Sequence, residues 1–262
     1  MWKKGFDYVF SCGGDCACAM LLRENGLRDM SSPFDWIGQG GVLLEERVRL
    51  IEEDFERFLE LKNLRKLEKP SVDGDPAHDY YVDAGTGLLH YHDFPVGVPL
   101  EECYASVRQK YERRIARFKA RMSSGGKVLA VWWDRFLHED DAAYLNAQKR
   151  IQTKYPMCEV HLLAVLDEPE MAVGTMEWKV LSERVVKVSG RFYPISHVCG
   201  DRRLAARCLR QIPRSWALRR MALGRLVRCG LANLLSFWHF SREHRKNARR
   251  AWRVKLGVMN NH

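Results

Sequence analysis

Apolar residues recur at helical spacing over residues 43–61, where Leu44, Val48, Ile51, Phe55 and Phe58 share a face, and over 100–122 through Tyr104, Val107, Tyr111, Ile115 and Phe118. Both stretches predict amphipathic helices, the second stopped by Ser123-Ser124-Gly125-Gly126. Residues 7–10 predict a short strand, and 16–25 a helix closed by Gly26. Past a turn-rich stretch around Pro70 to Pro76, residues 80–83 and 88–94 predict two strands joined through Ala84-Gly85-Thr86-Gly87. Continuous apolar runs at 128–133 and 160–166 predict buried strands flanking a helix at 141–153, an order that requires a parallel crossover. Residues 176–181 and 185–188 predict another hairpin. No internal repeat or low-complexity segment interrupts the series.

A chain of 262 residues with 46% hydrophobic positions can bury a real core. The net charge of +10 is unevenly placed. Residues 201–262 hold 16 Lys and Arg against 2 Asp and Glu, a net of +14, which leaves 1–200 at −4. The expected division is therefore a catalytic domain at 1–200 and a basic, mainly helical extension at 201–262. Fourteen of the 16 cations are arginine, which suits phosphate: a lipid headgroup, a nucleotide-like cofactor or a nucleic acid. The longest uncharged apolar run, 229–240, is shorter than the roughly 20 residues of a spanning helix. Arg219, Arg220, Arg225 and Arg228 do not fall on one clean helical face. The eight cysteines lack the spacing of a disulfide scaffold, and the charged start before Phe10 does not read as a secretory leader. A reducing cytoplasm is the expectation, peripheral to the inner face of the membrane if the tail binds lipid.

Three of those cysteines lie together in Cys12-Gly13-Gly14-Asp15-Cys16-Ala17-Cys18, and two chemistries compete for them. Thiolates joined by His90 and His92, two apart on a strand and so expected on one side, could hold a metal; yet structural zinc sites pair two close-spaced ligand couples, and no second couple is present. The expectation is no metal. A strand, a glycine turn and a helix starting near Cys16 would instead place that thiol beside unpaired backbone N–H groups at the positive end of a helix dipole. Such groups also make an oxyanion hole. The base expected is His92, near a strand end before Pro95. Asp134, directly after the strand at 128–133, is the candidate to orient it, because Asp93 should face away from His92. Each of these residues could equally be core filler.

One ordered set of motifs resembles a known family. Ser11, Gly13 and Cys16 are followed by Leu22-Arg23, Gly26-Leu27-Arg28, Ser31 and Pro33-Phe34-Asp35-Trp36. Then come His92-Asp93-Phe94 and Lys110-Tyr111, Arg113-Arg114-Ile115 and Arg117-Phe118. The series, over roughly residues 7–166, is similar to a bacterial family of unknown function described as papain-like cysteine peptidases. The resemblance implies a mixed α+β fold, with a papain-like cysteine-enzyme core, and places Cys16 and His92 as nucleophile and base. Position 12, small or aliphatic in that family, is cysteine here. A papain-like arrangement also serves a capsule-biosynthesis acetyltransferase that uses coenzyme A.

Two enzymatic functions follow, alike in thiolate attack on an acyl carbon and different in the acceptor. Water makes a peptidase or other hydrolase, which requires no cofactor; a glycan hydroxyl makes an acyltransferase of surface-polysaccharide biosynthesis, with coenzyme A as donor. The substrate is a peptide, small molecule or glycan. A third function needs no catalysis: phosphate or single-stranded nucleic acid held by the arginines with Trp216, Phe237, Trp238 and Trp252 interleaved, although no nucleic-acid fold signature is present.

Overall fold

Six consecutive buried residues, Tyr8–Gly13, form β1, the edge strand of a five-stranded sheet. The computed structural model describes residues 2–14, 16–38, 41–68, 75–195, 198–236 and 242–256. Beside β1 run β6 (Gly126–Asp134) and β7 (Cys158–Asp167), then β9 (Val185–Gly190), all parallel, with β8 (Met176–Val180) antiparallel at the far edge. Parallel strands buried on both faces need near-continuous apolar sequence, which is what Val128–Trp133 and Val160–Leu166 supply. The crossover between β6 and β7 is α4 (Asp141–Lys154), started by the Asp140 carboxylate accepting the Ala143 N–H at 2.7 Å.

The second sheet is antiparallel, in the order β2 (Ile37–Gly38), β5 (Leu88–Pro95), β4 (His78–Asp83), β3 (Leu64–Leu67). Its β4–β5 hairpin turns through Gly87 at φ +72°. Between the two sheets in sequence lies α3 (Leu100–Ser123), whose Tyr111 and Phe118 enter a core shared with Phe10, Phe55 and Tyr155. The mixed α and β architecture expected from the sequence is present. The stretch at 69–74, part of the expected turn, lies outside the described residues, as do Phe237 and Trp238.

Two departures have physical reasons. The helix expected over 43–61 is α2 (Leu44–Glu52) only, because Asp54, Phe55 and Leu59 adopt positive φ (54°, 65° and 58°). Each left-handed residue costs about 1–2 kcal/mol. Burying Phe55, Phe58 and Leu59, at 2%, 0% and 0% exposure, returns about 1.5–3 kcal/mol apiece, so burial wins. The Asp83 carboxylate then accepts the Leu59 N–H at 2.8 Å.

The boundary expected at residue 200 falls instead after Pro213: the chain forms one unit to Pro213 and another from Arg214. Helix α5 (Arg202–Leu209) stays with the first unit because it packs on α1 (Cys16–Glu24), burying Leu204, Ala205, Cys208 and Leu209. The second unit holds α6 (Trp216–Leu235) and α7 (Arg242–Lys255), packed on each other. No described helix is long and apolar enough to cross a membrane.

Candidate active site

The carboxyl end of β1 delivers the chain into a turn that only glycine can make. Gly13 and Gly14 have φ of +99° and +84°. A Cβ on Gly14 would lie 1.8 Å from the Trp133 carbonyl oxygen, and one on Gly13 would lie 2.7 Å from a nitrogen of the Arg47 guanidinium. The turn is thus wedged between the backbone of β6 and a fully buried arginine. Arg47 is held over the rings of Phe34 (5.4 Å) and Trp132 (5.6 Å) and donates to the Gly38 carbonyl at 3.4 Å.

Cys16 opens α1 straight after this turn and is half-buried. Every other cysteine of the first unit is buried. Burial pushes the Cys12 thiol far up despite the opposing charge of Arg47. Cys18 points its thiol at the Val131 carbonyl, 3.6 Å away. Cys12 and Cys18 thus face the interior, and of the three cysteines Cys16 alone combines access with a helix start.

His90 and His92 do not share a face, contrary to the strand alternation read from sequence. The register steps from Tyr81↔His90 to Asp79↔Phe94, so Tyr80 of β4 opposes three residues of β5 and the strand bulges at Tyr91–Asp93. His90 is left fully buried among Phe58, Phe94 and Tyr111, its Nδ1 2.8 Å from Oδ2 of Asp93. Tyr111 donates its hydroxyl to the same oxygen at 2.7 Å, and Lys110 pairs with Oδ1. Burial opposes charge on Asp93, yet His90 and Lys110 outweigh it and hold the carboxyl well below the usual range. His90 is thereby a core residue.

His92 is 34% exposed, and its Nδ1 lies 2.9 Å from Oδ2 of Asp75. Burial works against the Asp75 charge too, but the Ala77 N–H and then the imidazoles of His92 and His78 prevail, keeping the carboxyl well below its ordinary value. Among the described residues the carboxylate hydrogen-bonded to His92 is Asp75, not Asp134. Asp134 is fully buried beside the Gly14 turn, and its Oδ1 accepts the N–H groups of Phe136 and Leu137, both at 2.9 Å. It caps its own loop. Asp75 escaped the sequence reading because 17 residues separate it from His92, and only the β4–β5 pairing brings them together.

Trp36 meets both helix α1 and the β5 bulge. Its ring meets that of His92 edge-on at 6.0 Å, and Arg23 of α1 lies 5.8 Å from the ring centroid. Its φ of +71° is rare for a bulky residue and is enforced by the preceding turn. There the Asp35 carboxylate accepts from Arg28 Nε (2.7 Å), the Ser32 N–H (3.0 Å) and Ser32 Oγ (2.8 Å), while Arg114 donates to the Asp35 carbonyl at 3.2 Å. The scattered motifs are thus two buried polar clusters: Arg28, Asp35 and Arg114 fix Trp36, and Lys110, Tyr111 and Asp93 fix the bulge that carries His92.

The chain is 28% identical over 133 residues to "Uncharacterized protein R408" of Acanthamoeba polyphaga mimivirus. That alignment takes in 46% of this chain and 59% of the relative, so the chain spans less than two thirds of the relative's length. No solved structure matches. The segment that carries the Cys16 turn, Trp36, the β5 bulge and Asp134 is similar to the family described as "Putative papain-like cysteine peptidase (DUF1796)", which matches the chain over residues 7–136.

Proposed function

We propose that the first unit is a cysteine hydrolase of acyl substrates, with Cys16 as nucleophile, His92 as general base and Asp75 as the group that orients His92. The carrying observation is the half-buried Cys16 thiol at the start of α1, behind a turn that tolerates no side chain at Gly13 or Gly14. With Nδ1 committed to Asp75, His92 has Nε2 to take the thiol proton. The thiolate adds to the acyl carbon, and backbone N–H groups of the first turn of α1 face the oxyanion. Collapse expels the leaving group, protonated by His92, and forms a thioester on Cys16. Water, deprotonated by His92, releases the acid. A glycan hydroxyl in place of that water would make an acyltransferase, and protection of the protein against heat by coenzyme A would favour that acceptor.

The test is turnover of p-nitrophenyl esters and fluorogenic peptides by the full chain. Cys16→Ala should abolish it, and His92→Ala should lower it about 10²-fold or more. Asp75→Asn should lower it while Asp134→Asn stays within about tenfold of the parent. Full activity in Cys16→Ala, or inactivation by Asp134→Asn with Asp75→Asn active, would overturn the assignment.

The second unit supports attachment to an anionic lipid surface. Residues 214–262 contain twelve Lys and Arg and one Glu. On α6, Trp216, Leu223, Val227 and Leu234 are 72%, 62%, 62% and 69% exposed, at spacings that align them along one outward stripe. Arg220 lies 5.3 Å from the Trp216 ring. An apolar stripe flanked by arginine is the pattern of a helix lying in the headgroup region, to which anionic lipid adds about 1 kcal/mol per basic residue. The protein should sediment with phosphatidylglycerol-containing vesicles and not with phosphatidylcholine alone, and Leu223→Glu should weaken this. Retention on single-stranded oligonucleotide without vesicle binding would favour the nucleic-acid function instead.

A further inference from the structure

The Cys–His–Asp chemistry needs one imidazole on Asp75, and the structure provides two. His78, at the start of β4, places its Nδ1 2.7 Å from Oδ2 of Asp75, the same oxygen that His92 approaches from the β5 bulge at 2.9 Å. One ligand atom from each of the three residues lies within 4.8 Å of the others. The two imidazole rings stand nearly perpendicular, 6.1 Å apart, so their Nδ1 edges converge rather than stack. We infer that Asp75, His78 and His92 form a binding site for a zinc-class divalent cation.

The donor set is the first argument. Two imidazole nitrogens and one carboxylate oxygen suit zinc, whereas magnesium and calcium prefer oxygen alone. Zinc–ligand distances of about 2.0–2.2 Å need the three atoms to spread only slightly around an ion that replaces the shared protons. The support behind them is the second. The other Asp75 oxygen accepts the Ala77 N–H at 2.9 Å, so the carboxylate is already oriented, and the backbone of His78 is held in register opposite Pro95 across the hairpin. Access is the third: the side chains of Asp75, His78 and His92 are 20%, 30% and 34% exposed, which lets an ion enter and water complete its shell.

Coordination has a defined chemical consequence. Each neutral ring moves its proton from Nδ1 to Nε2 as Nδ1 takes the metal, so no net proton need be released. His92 then carries hydrogen on the nitrogen that would receive the Cys16 proton, and it cannot act as a base. The metal would therefore hold the enzyme off; this consequence rests on the reading of His92 given above, and the site itself does not.

Isothermal titration of the full chain, stripped with EDTA, should show one zinc bound per chain and no comparable magnesium binding. His78→Ala should weaken zinc at least tenfold while keeping its circular dichroism spectrum, and Cys16→Ala should bind as the parent does. His78→Gln serves the same purpose if the alanine variant fails to fold. Binding lost in Cys16→Ala and kept in the His78 variants would overturn the site in favour of a cysteine ligand set, as would no zinc binding at all. In the ester assay, stoichiometric zinc should suppress turnover and EDTA should restore it; activation by zinc would refute the inhibitory role. Zinc binding with no thiol-dependent turnover under any condition would sink the enzyme reading and leave the metal site standing.

Discussion

Replacing Asp93 with asparagine keeps its shape and removes its charge from a buried carboxylate that three side chains share. Oδ2 receives His90 and Tyr111, and Oδ1 receives Lys110, with the Asp93 side chain 1% exposed. An amide must turn its NH2 toward one side. Facing Lys110 is the cheaper choice, because that ammonium is 19% exposed and can turn toward water, whereas the opposite flip confronts two buried groups. Removing one partner of a buried ion pair costs about 3–5 kcal/mol, and the exposure of Lys110 sets the expectation near 3 kcal/mol. For a unit of this size that is a fall in Tm of about 6–12 °C. Urea unfolding followed by circular dichroism measures it, with an unchanged slope certifying the same folded surface. Tyr111→Phe grades the effect without touching the charge: losing a hydrogen bond to a charged acceptor should cost about 1.5–3 kcal/mol. A cost below about 1 kcal/mol for Asp93→Asn, with Tyr111→Phe neutral, would refute the view that this cluster holds the bulge.

The glycine turn yields two further expectations. Gly14→Ala combines left-handed strain of about 1–2 kcal/mol with an overlap that moves sheet backbone, about 1–3 kcal/mol more, and should appear as lost soluble yield or an early urea midpoint. Gly13→Ala meets the end of a side chain rather than a carbonyl and should lose less by the same measurement; the reverse order would show that Arg47, not the contact with β6, sets the turn.

Much of this was legible because it is local. The apolar runs at 128–133 and 160–166 are β6 and β7, the 3.6-residue stripe from Leu100 is α3, and Cys16 begins a helix where the glycines end a strand. The continuation of α2 misled because Phe55 and Phe58 keep helical spacing while the backbone between them is left-handed. Their burial is satisfied by a route that periodicity cannot distinguish from a helix. The motifs located the site without revealing its wiring: Arg28, Asp35 and Arg114 are up to 86 residues apart in sequence and meet through one turn.

The two histidines of β5 show how little sequence separates a core residue from a candidate catalytic one. In a regular strand the alternation that buries Leu88 and His90 would bury His92 as well and turn Asp93 outward. The bulge inverts both outcomes: Asp93 turns inward to meet His90, Tyr111 and Lys110, and His92 emerges beside Trp36 within reach of Asp75 and His78. The inward half stabilises the outward half, since a bulge forfeits ladder hydrogen bonds and needs a compensating contact. Asp93 supplies that contact, which is why a carboxylate adjacent to His92 in sequence, and facing away from it in space, belongs to the same functional unit.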